Sequence, residues 1–231
     1  MTPRITSAAD SGAALRQDGF ESLGRLLTKR QCEAIRTLYD SPDNFRSRIN
    51  MAQHRFGKGE YQYFRYPLPQ MVAELRRSLY VRLVVQARTW MDELGLDASF
   101  PDDHAAFIEK CRAAGQTRPT PLLLRYRRGD YNCLHQDLYG PIVFPFQVIV
   151  ALSAAESEYR GGELLLVEQR PRAQSKGHVI RLEQGEGVVI TTRYRPEHGT
   201  RGIYRVNVRH GVSTVREGER FTLGVIFHDA E

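Results

Sequence analysis

Gly129-Asp130-Tyr131-Asn132-Cys133-Leu134-His135-Gln136-Asp137 is the stretch on which the reading of this chain turns. Residues i and i+2 of a β-strand project from one face. A strand here therefore aims the His135 imidazole and the Asp137 carboxylate into the same space. A bare His-x-Asp occurs by chance in many sequences, so a second block matters: His210-Gly211-Val212-Ser213-Thr214-Val215-Arg216-Glu217-Gly218-Glu219-Arg220. His210 can bring a third ligand from another strand. Two imidazoles and one carboxylate leave open positions on a bound metal ion. Arg220, beyond the distal histidine, offers a cation whose planar fork matches a carboxylate bidentately.

Both blocks sit in a part of the chain patterned as sheet. From Pro121 onward, short apolar or alternating runs are punctuated by glycine and charged turns. They fall at 122–126, 146–152, 163–167, 178–182, 188–192, 203–210 and 220–227. Strands at this spacing indicate an all-β sandwich or barrel. With the two blocks on separate strands, the expected fold is mainly β with supporting helices: a double-stranded β-helix, or jelly roll.

The first half reads differently. Residues 1–12 are small and polar, a flexible tail by composition. A strand and turn follow from Gly19-Phe20 to Leu27. Thr28-Lys29-Arg30-Gln31 is a capping box opening a helix with Cys32, Ile35, Leu38 and Tyr39 on one face. Leu68-Pro69 opens a long helix, with Val72, Leu75, Leu79, Leu83, Ala87, Trp90 and Leu94 at helical spacing and Gly95 as its stop. Pro101 begins another, with Ala106, Phe107, Cys111 and Ala114 inward. These helices should buttress the sheet. The organisation is one domain over 13–231, with a helical and flap part at 13–118 and a jelly-roll core at 119–231.

Between the helices lies an unusual stretch. His54-Arg55-Phe56-Gly57-Lys58-Gly59-Glu60 reads as a turn flanked by charge, and Tyr61-Gln62-Tyr63-Phe64-Arg65-Tyr66 alternates aromatic and polar groups. As a flap over a site, its aromatics (Tyr61, Tyr63) could stack on a base while His54, Arg55 or Lys58 meets substrate. As plain structure, Tyr61 and Tyr63 pack into the edge of the barrel, which is ordinary strand chemistry.

Composition sets outer bounds. The chain has 231 residues, 41% of them hydrophobic and 26% charged, enough for one domain with a sizeable core. Three widely spaced cysteines, Cys32, Cys111 and Cys133, form neither a disulfide framework nor a zinc motif. That usage points to a reducing cytoplasm. The amino terminus lacks an apolar leader, and no apolar run is long enough to span a bilayer. Net charge is +6, and only four of the 33 basic residues are lysine. The excess fits an acidic partner such as nucleic acid, or an arginine bias of the genome.

The two blocks resemble the Fe(II)/2-oxoglutarate-dependent dioxygenases, in their prolyl-4-hydroxylase-like branch. There, His-x-Asp is followed by a Gly-Gly-Glu strand, then by a distal histidine with a basic residue ten positions on. This chain has Gly161-Gly162-Glu163, His210, Gly218 and Arg220, and closes with Phe227-His228. The likeness covers roughly residues 120–229. The runs at 121–126, 129–135 and 169–172 look like a bacterial subgroup of these oxygenases.

The resemblance implies a ligand set of His135, Asp137 and His210 for Fe(II), with 2-oxoglutarate and O2 as cosubstrates. His210 is favoured over His178, His198 and His228 because Arg220 follows it at the family's spacing. Arg220 should hold the distal carboxylate of 2-oxoglutarate. Thr222 shares its strand face, and Tyr126 and Tyr131 are further donors. Tyr131 stands one place earlier than the family's second tyrosine, which reverses its face on a strand, so Tyr126 is preferred. Gly161-Gly162 is read as a bend that lets the sheet close.

The implied reaction is hydroxylation of a C–H bond, with succinate and CO2 as coproducts. Substrate candidates are an alkylated nucleobase undergoing oxidative demethylation, a protein side chain such as proline, or a small metabolite. The basic charge and aromatic flap favour the first, although the distal strand lacks the arginine-rich pattern associated with known base demethylases. A metal-free binding module is the alternative of a different class, and the intact set of His135, Asp137, His210 and Arg220 argues against it.

Overall fold

The structure, a computed structural model, describes residues 12–231. Its helices are α1 (Ala13–Asp18), α2 (Lys29–Thr37), α3 (Gln70–Glu93) and α4 (His104–Ala113). Its strands are β1 (Phe20–Arg25), β2 (Phe45–Asn50), β3 (Gly57–Lys58), β4 (Glu60–Phe64), β5 (Leu122–Arg127), β6 (Tyr131–His135) and β7 (Phe146–Ala151). There follow β8 (Tyr159–Gly161), β9 (Leu164–Gln169), β10 (Lys176–Ile180), β11 (Glu186–Thr191), β12 (Tyr194–Gly199), β13 (Gly202–Val212) and β14 (Val215–Ile226). The expected tail, residues 1–12, lies outside the described residues except for Gly12, which is buried at the start of α1.

Two antiparallel sheets face each other, the jelly-roll arrangement expected from the strand pattern. The larger runs β1-β11-β7-β14-β5-β4-β2, with β8 beside the start of β14. The smaller runs β10-β9-β13-β6-β3, with β12 beside β13. Strand alternation divides the interior in two. On β14, Phe221, Leu223 and Val225 join the core beneath the helices, as do Val148 and Val150 on β7. Ile149, Ala151, Val188 and Ile190 face the other way and pack against Leu164, Leu166, Val206 and Val208 of the smaller sheet. The larger sheet is thus covered on one side by helices and on the other by its partner sheet.

Helices α2, α3 and α4 form where expected, whereas α1 is not anticipated by the sequence pattern. Thr28 and Gln31 exchange the two bonds of a capping box, at 3.3 and 2.8 Å. The stripe on α3 is buried at Val72, Leu79, Leu83, Ala87 and Trp90. It also contains Arg76, which apolar periodicity passes over. Arg76 is 1% exposed and donates to the carbonyls of Ile226, Phe227 and His228 and to the Asp229 carboxylate at 2.9 Å. Chain leaving β14 cannot pair its carbonyls within a sheet, so a buried guanidinium satisfies them. On α4 the expected face is shifted. Asp103, not Pro101, caps the helix by accepting from Ala106 N at 3.1 Å. His104 is therefore buried and Ala106 exposed.

The stretch at 45–64 is neither a free flap nor a simple hairpin. After β2, a 3-10 turn (Met51–His54) leads to β3, which pairs with β6 in the smaller sheet, while β4 pairs with β5 in the larger. The segment therefore bridges the two sheets at one end of the barrel. Among the described residues, no helix is long and apolar enough to cross a membrane.

Two buried histidines tie this packing to pH. Burial, reinforced by the nearby Arg76 cation, pushes His104 down from 6.5 to about 4 and His228 down to about 3. As pH falls, the unfolded chain takes up these protons before the folded one does. Stability is therefore full above the ordinary value and is lost below it. Each histidine should remove about 2 kcal/mol between roughly pH 6.5 and pH 5. Denaturant unfolding of His104→Gln, which keeps a donor for the Phe227 carbonyl, should show a shallower acid dependence than wild type. An unchanged dependence would contradict this account.

Candidate active site

The inner face of β13 reads Val206, Val208, His210, Val212: an apolar row with one imidazole in it. Directly across the pairing, His210 stands opposite His135 at the end of β6. Their ring centroids are 4.3 Å apart. Gly211 makes this approach feasible, because a β-carbon there would lie 2.7 Å from the Asn132 carbonyl oxygen. His135 Nδ1 lies 2.8 Å from the Cys133 carbonyl oxygen. A carbonyl only accepts, so Nδ1 carries the hydrogen and Nε2 keeps its lone pair for a metal.

Asp137 arrives differently from the strand argument. β6 ends at His135, so Asp137 lies in the following loop rather than two residues along a strand. Its place is fixed by hydrogen bonds. Tyr139 donates to Oδ1 at 2.7 Å and Gln147 Nε2 donates to Oδ2 at 2.9 Å. His210 Nε2 is 3.2 Å from Oδ2, and His135 Nε2 is 3.6 Å from Oδ1. Burial alone would raise the Asp137 pKa. The His210 hydrogen bond and charge, with His135 and Tyr139, outweigh it and hold the carboxyl well below the usual range. Burial and the neighbouring His210 push His135 the other way, below its ordinary value, which favours the neutral imidazole. One ligand atom from each of His135, Asp137 and His210 lies within 4.8 Å of the others, a set able to hold a metal ion.

The cluster opens into a cavity of about 310 Å³ between the sheets. Its wall on the larger sheet follows from register. Arg220 pairs with Tyr126, Thr222 with Leu124 and Gly224 with Leu122 across β14 and β5, and all six line the cavity. Tyr61 and Tyr63 of β4 extend this wall, and Ile149 and Gln147 of β7 close it. Arg220 is 4% exposed, yet its Nε and Nη1 have no hydrogen-bond partner among the described residues. A buried cation with free donors is costly unless an anion meets it. The Tyr126 and Tyr159 rings flank its guanidinium at 5.5 and 6.0 Å. Burial pushes the Tyr126 phenol above its ordinary range, so it remains a donor. Gly162 has φ +66°, and a β-carbon on it would meet Arg220 Cδ at 2.9 Å. The glycine pair therefore makes room for the arginine as well as turning the chain.

The remaining candidates are distributed unevenly. Arg55, with φ +60°, reaches the cavity, but His54 stays outside it, exposed and stacked on Phe56 at 5.4 Å. Lys58 is exposed and lies 3.8 Å from Asp130, away from the cavity lining. Tyr131 is 41% exposed and does not line the cavity either, as the reversed strand face implies. Arg216, the nearest other arginine in the downstream block, lies on β14 and is exposed. His228 sits beyond β14, where its Nδ1 accepts from Phe144 N at 3.2 Å. Sequence reasoning passed over Phe56, Tyr139 and Gln147. Gln147 had a signal: it is the one polar residue in the otherwise apolar run 146–151.

A jelly roll that carries a histidine–carboxylate cluster able to hold a metal ion, with a buried arginine in the same cavity, is the setting of an oxidoreductase of the oxygenase class. The chain belongs to the Oxygenase-NA family, described as "Oxygenase, catalysing oxidative methylation of damaged DNA", whose profile matches residues 59–230. It is 52% identical over 167 residues to a Mycobacterium tuberculosis protein (strain ATCC 25618 / H37Rv) named "Uncharacterized protein Rv2227", covering 72% of each chain. The same figures hold for the counterpart in strain CDC 1551 / Oshkosh. Its fold is similar to that of a Pseudomonas putida prolyl-4-hydroxylase, with a TM-score of 0.54, 15% identity and coverage of 96% and 99% of the two chains. A Burkholderia pseudomallei oxidoreductase of the 2OG-Fe(II) oxygenase family gives 0.53 at 16% identity, over 100% and 96%.

The cluster makes metal binding directly testable. His210→Ala should weaken Co(II) binding on the order of a hundredfold in titration calorimetry, whereas His178→Ala, outside the cluster, should leave it unchanged. Equal affinity in His210→Ala and wild type would remove His210 from the ligand set.

Proposed function

We propose that the protein oxidatively demethylates an alkylated nucleobase, holding Fe(II) through His135, Asp137 and His210 and 2-oxoglutarate through Arg220. The observation that carries the reading is the buried guanidinium of Arg220, whose Nε and Nη1 have no partner among the described residues, in the same cavity as the histidine–carboxylate cluster. A dicarboxylate with one end at the metal and the other at an arginine fits that pairing of charges. Bound iron would supply the oxidant that inserts one atom of O2 into a C–H bond, with 2-oxoglutarate converted to succinate and CO2.

The chain's own groups have separable tasks. Arg220 grips the distal carboxylate, and Tyr126 and Thr222 stand on the same wall as hydrogen-bond donors. Leu122, Leu124, Ile149, Leu164 and Val212 line the cavity with apolar surface and keep water from the reacting atoms. At the mouth, Phe56 is 49% exposed and stacked on His54, and Arg55 reaches the cavity beside it. An exposed aromatic pair with an adjacent cation suits a base and its phosphate. Net charge of +6 and the family description support a nucleic-acid substrate. Hydroxylation of an N-methyl group gives a hydroxymethyl amine, which releases formaldehyde and leaves the N–H. Side-chain hydroxylation of a protein is supported by the prolyl-hydroxylase-like motif spacing and the fold, but neither the basic charge nor the family description favours it.

Succinate formation should be stimulated by a single-stranded methylated oligonucleotide, with equimolar formaldehyde, and not by its unmethylated form or by proline-containing peptides. Stimulation by a peptide alone would overturn the substrate assignment.

Arg220→Met should raise KM for 2-oxoglutarate about 10- to 100-fold through loss of charged hydrogen bonds, with Co(II) affinity unchanged. An unaltered KM would remove Arg220 from the cosubstrate site.

A further inference from the structure

Asp137 is an unusual ligand candidate because it lies on a loop, where strand pairing does not fix its orientation. A carboxylate free to turn about its Cβ–Cγ bond can offer one oxygen to a metal ion or both. Two oxygens would fill a position that this chemistry needs open. Something must hold the carboxylate plane.

The structure supplies a hydrogen-bonded series of phenols for this. Tyr63 donates to the Tyr139 hydroxyl at 3.0 Å, and Tyr139 donates to Asp137 Oδ1 at 2.7 Å. Each hydroxyl carries one hydrogen, so the direction of the series is set by its end: a carboxylate accepts only. Tyr139, by receiving from Tyr63, has its own hydrogen committed to Asp137. Tyr63 is itself anchored in β4, buried, with the Arg46 guanidinium over its ring at 4.4 Å. The opposite oxygen, Oδ2, takes its hydrogen bond from Gln147. Both carboxylate oxygens are thus held, from two different walls of the cavity.

We propose that Tyr139, oriented by Tyr63, is a positioning residue that keeps Asp137 a one-oxygen metal ligand and so preserves open coordination positions. The proposal rests on the metal reading above and adds two residues to it. It also gives Tyr63 a second task, because the strand that lines the substrate side of the cavity is joined through it to a metal ligand.

The test is Co(II) binding to the full chain, read by calorimetry and visible absorption, in wild type, Tyr139→Phe, Tyr63→Phe and the double variant. Phenylalanine keeps the ring packing and removes only the hydroxyl. Tyr139→Phe should weaken Co(II) about tenfold and lower its visible band intensity, as a second carboxylate oxygen raises the coordination number. Tyr63→Phe should weaken it less, and should add nothing in the Tyr139→Phe background, since the hydroxyl it serves is already gone. Unchanged affinity and spectrum in Tyr139→Phe overturns the assignment. An undiminished Tyr63→Phe effect in the double variant overturns the series. Wild-type protein that binds no Co(II) overturns the metal reading itself, and this separates the two failures.

Discussion

The antiparallel register between β6 and β13 is the constraint on which the site depends. It sets His210 opposite His135, and a slip of one residue would turn one imidazole to the outer face. The register is secured from both sides of β13, since β9 pairs along its other edge and sets Leu166 beside His210. Packing reinforces the pairing. Val206 and Val208 on the same face as His210 are fully buried between the sheets, so any shift that displaces the histidine also exposes two valines, at roughly 1.5 kcal/mol or more each. The histidine is held by the hydrophobic neighbours of its own strand.

A second constraint acts from behind. β14 carries Arg220 and Thr222 toward the cavity at one end and runs into the Arg76 cluster at the other. Removing a charge from water is expensive, and Arg76 and Asp229 meet that cost with a close pair and several carbonyls. The contrast with Arg220 is instructive. Both guanidiniums are buried, but one is saturated by the protein and the other is left with free donors. Saturation marks the structural arginine. Incomplete saturation leaves Arg220 with donors free for a ligand, the basis of the role proposed for it.

Much of this was legible because the relevant physics is local. The capping box at Thr28 and the strand alternation after Pro121 depend on near neighbours. The candidate ligand pair His135 and Asp137 stands out by spacing, yet the strand geometry invoked for it stops two residues short of Asp137. The carboxylate reaches the same place through Tyr139 and Gln147, partners that only the assembled sheets bring near. Arg76 was hidden for the same reason: an arginine in an apolar stripe looks like an interruption until the carbonyls beyond β14 are seen to need it. The stretch at 45–64 could be read as aromatic and basic, but its division between two sheets is a long-range property. That division brings Arg55 to the cavity and leaves Lys58 outside.

The cavity's charges also bear on selectivity. Asp137 stays ionised although it is nearly buried, because His210 and His135 offset the desolvation. Arg220 lies on the facing sheet, across a wall that is mainly aliphatic. Tyr126 sits within the influence of both, its phenol stabilised as an anion by Arg220 and disfavoured by Asp137, with burial deciding for the neutral form. Low-dielectric walls strengthen each charge toward whatever enters. A ligand with a single carboxylate can answer Arg220 or the metal, but not both. A neutral one answers neither and leaves the arginine unpaired. On the proposed reading, discrimination for a dicarboxylate arises as much from the penalty of leaving Arg220 bare as from the bond it forms, and that penalty exists because strand register buries the arginine against Tyr126.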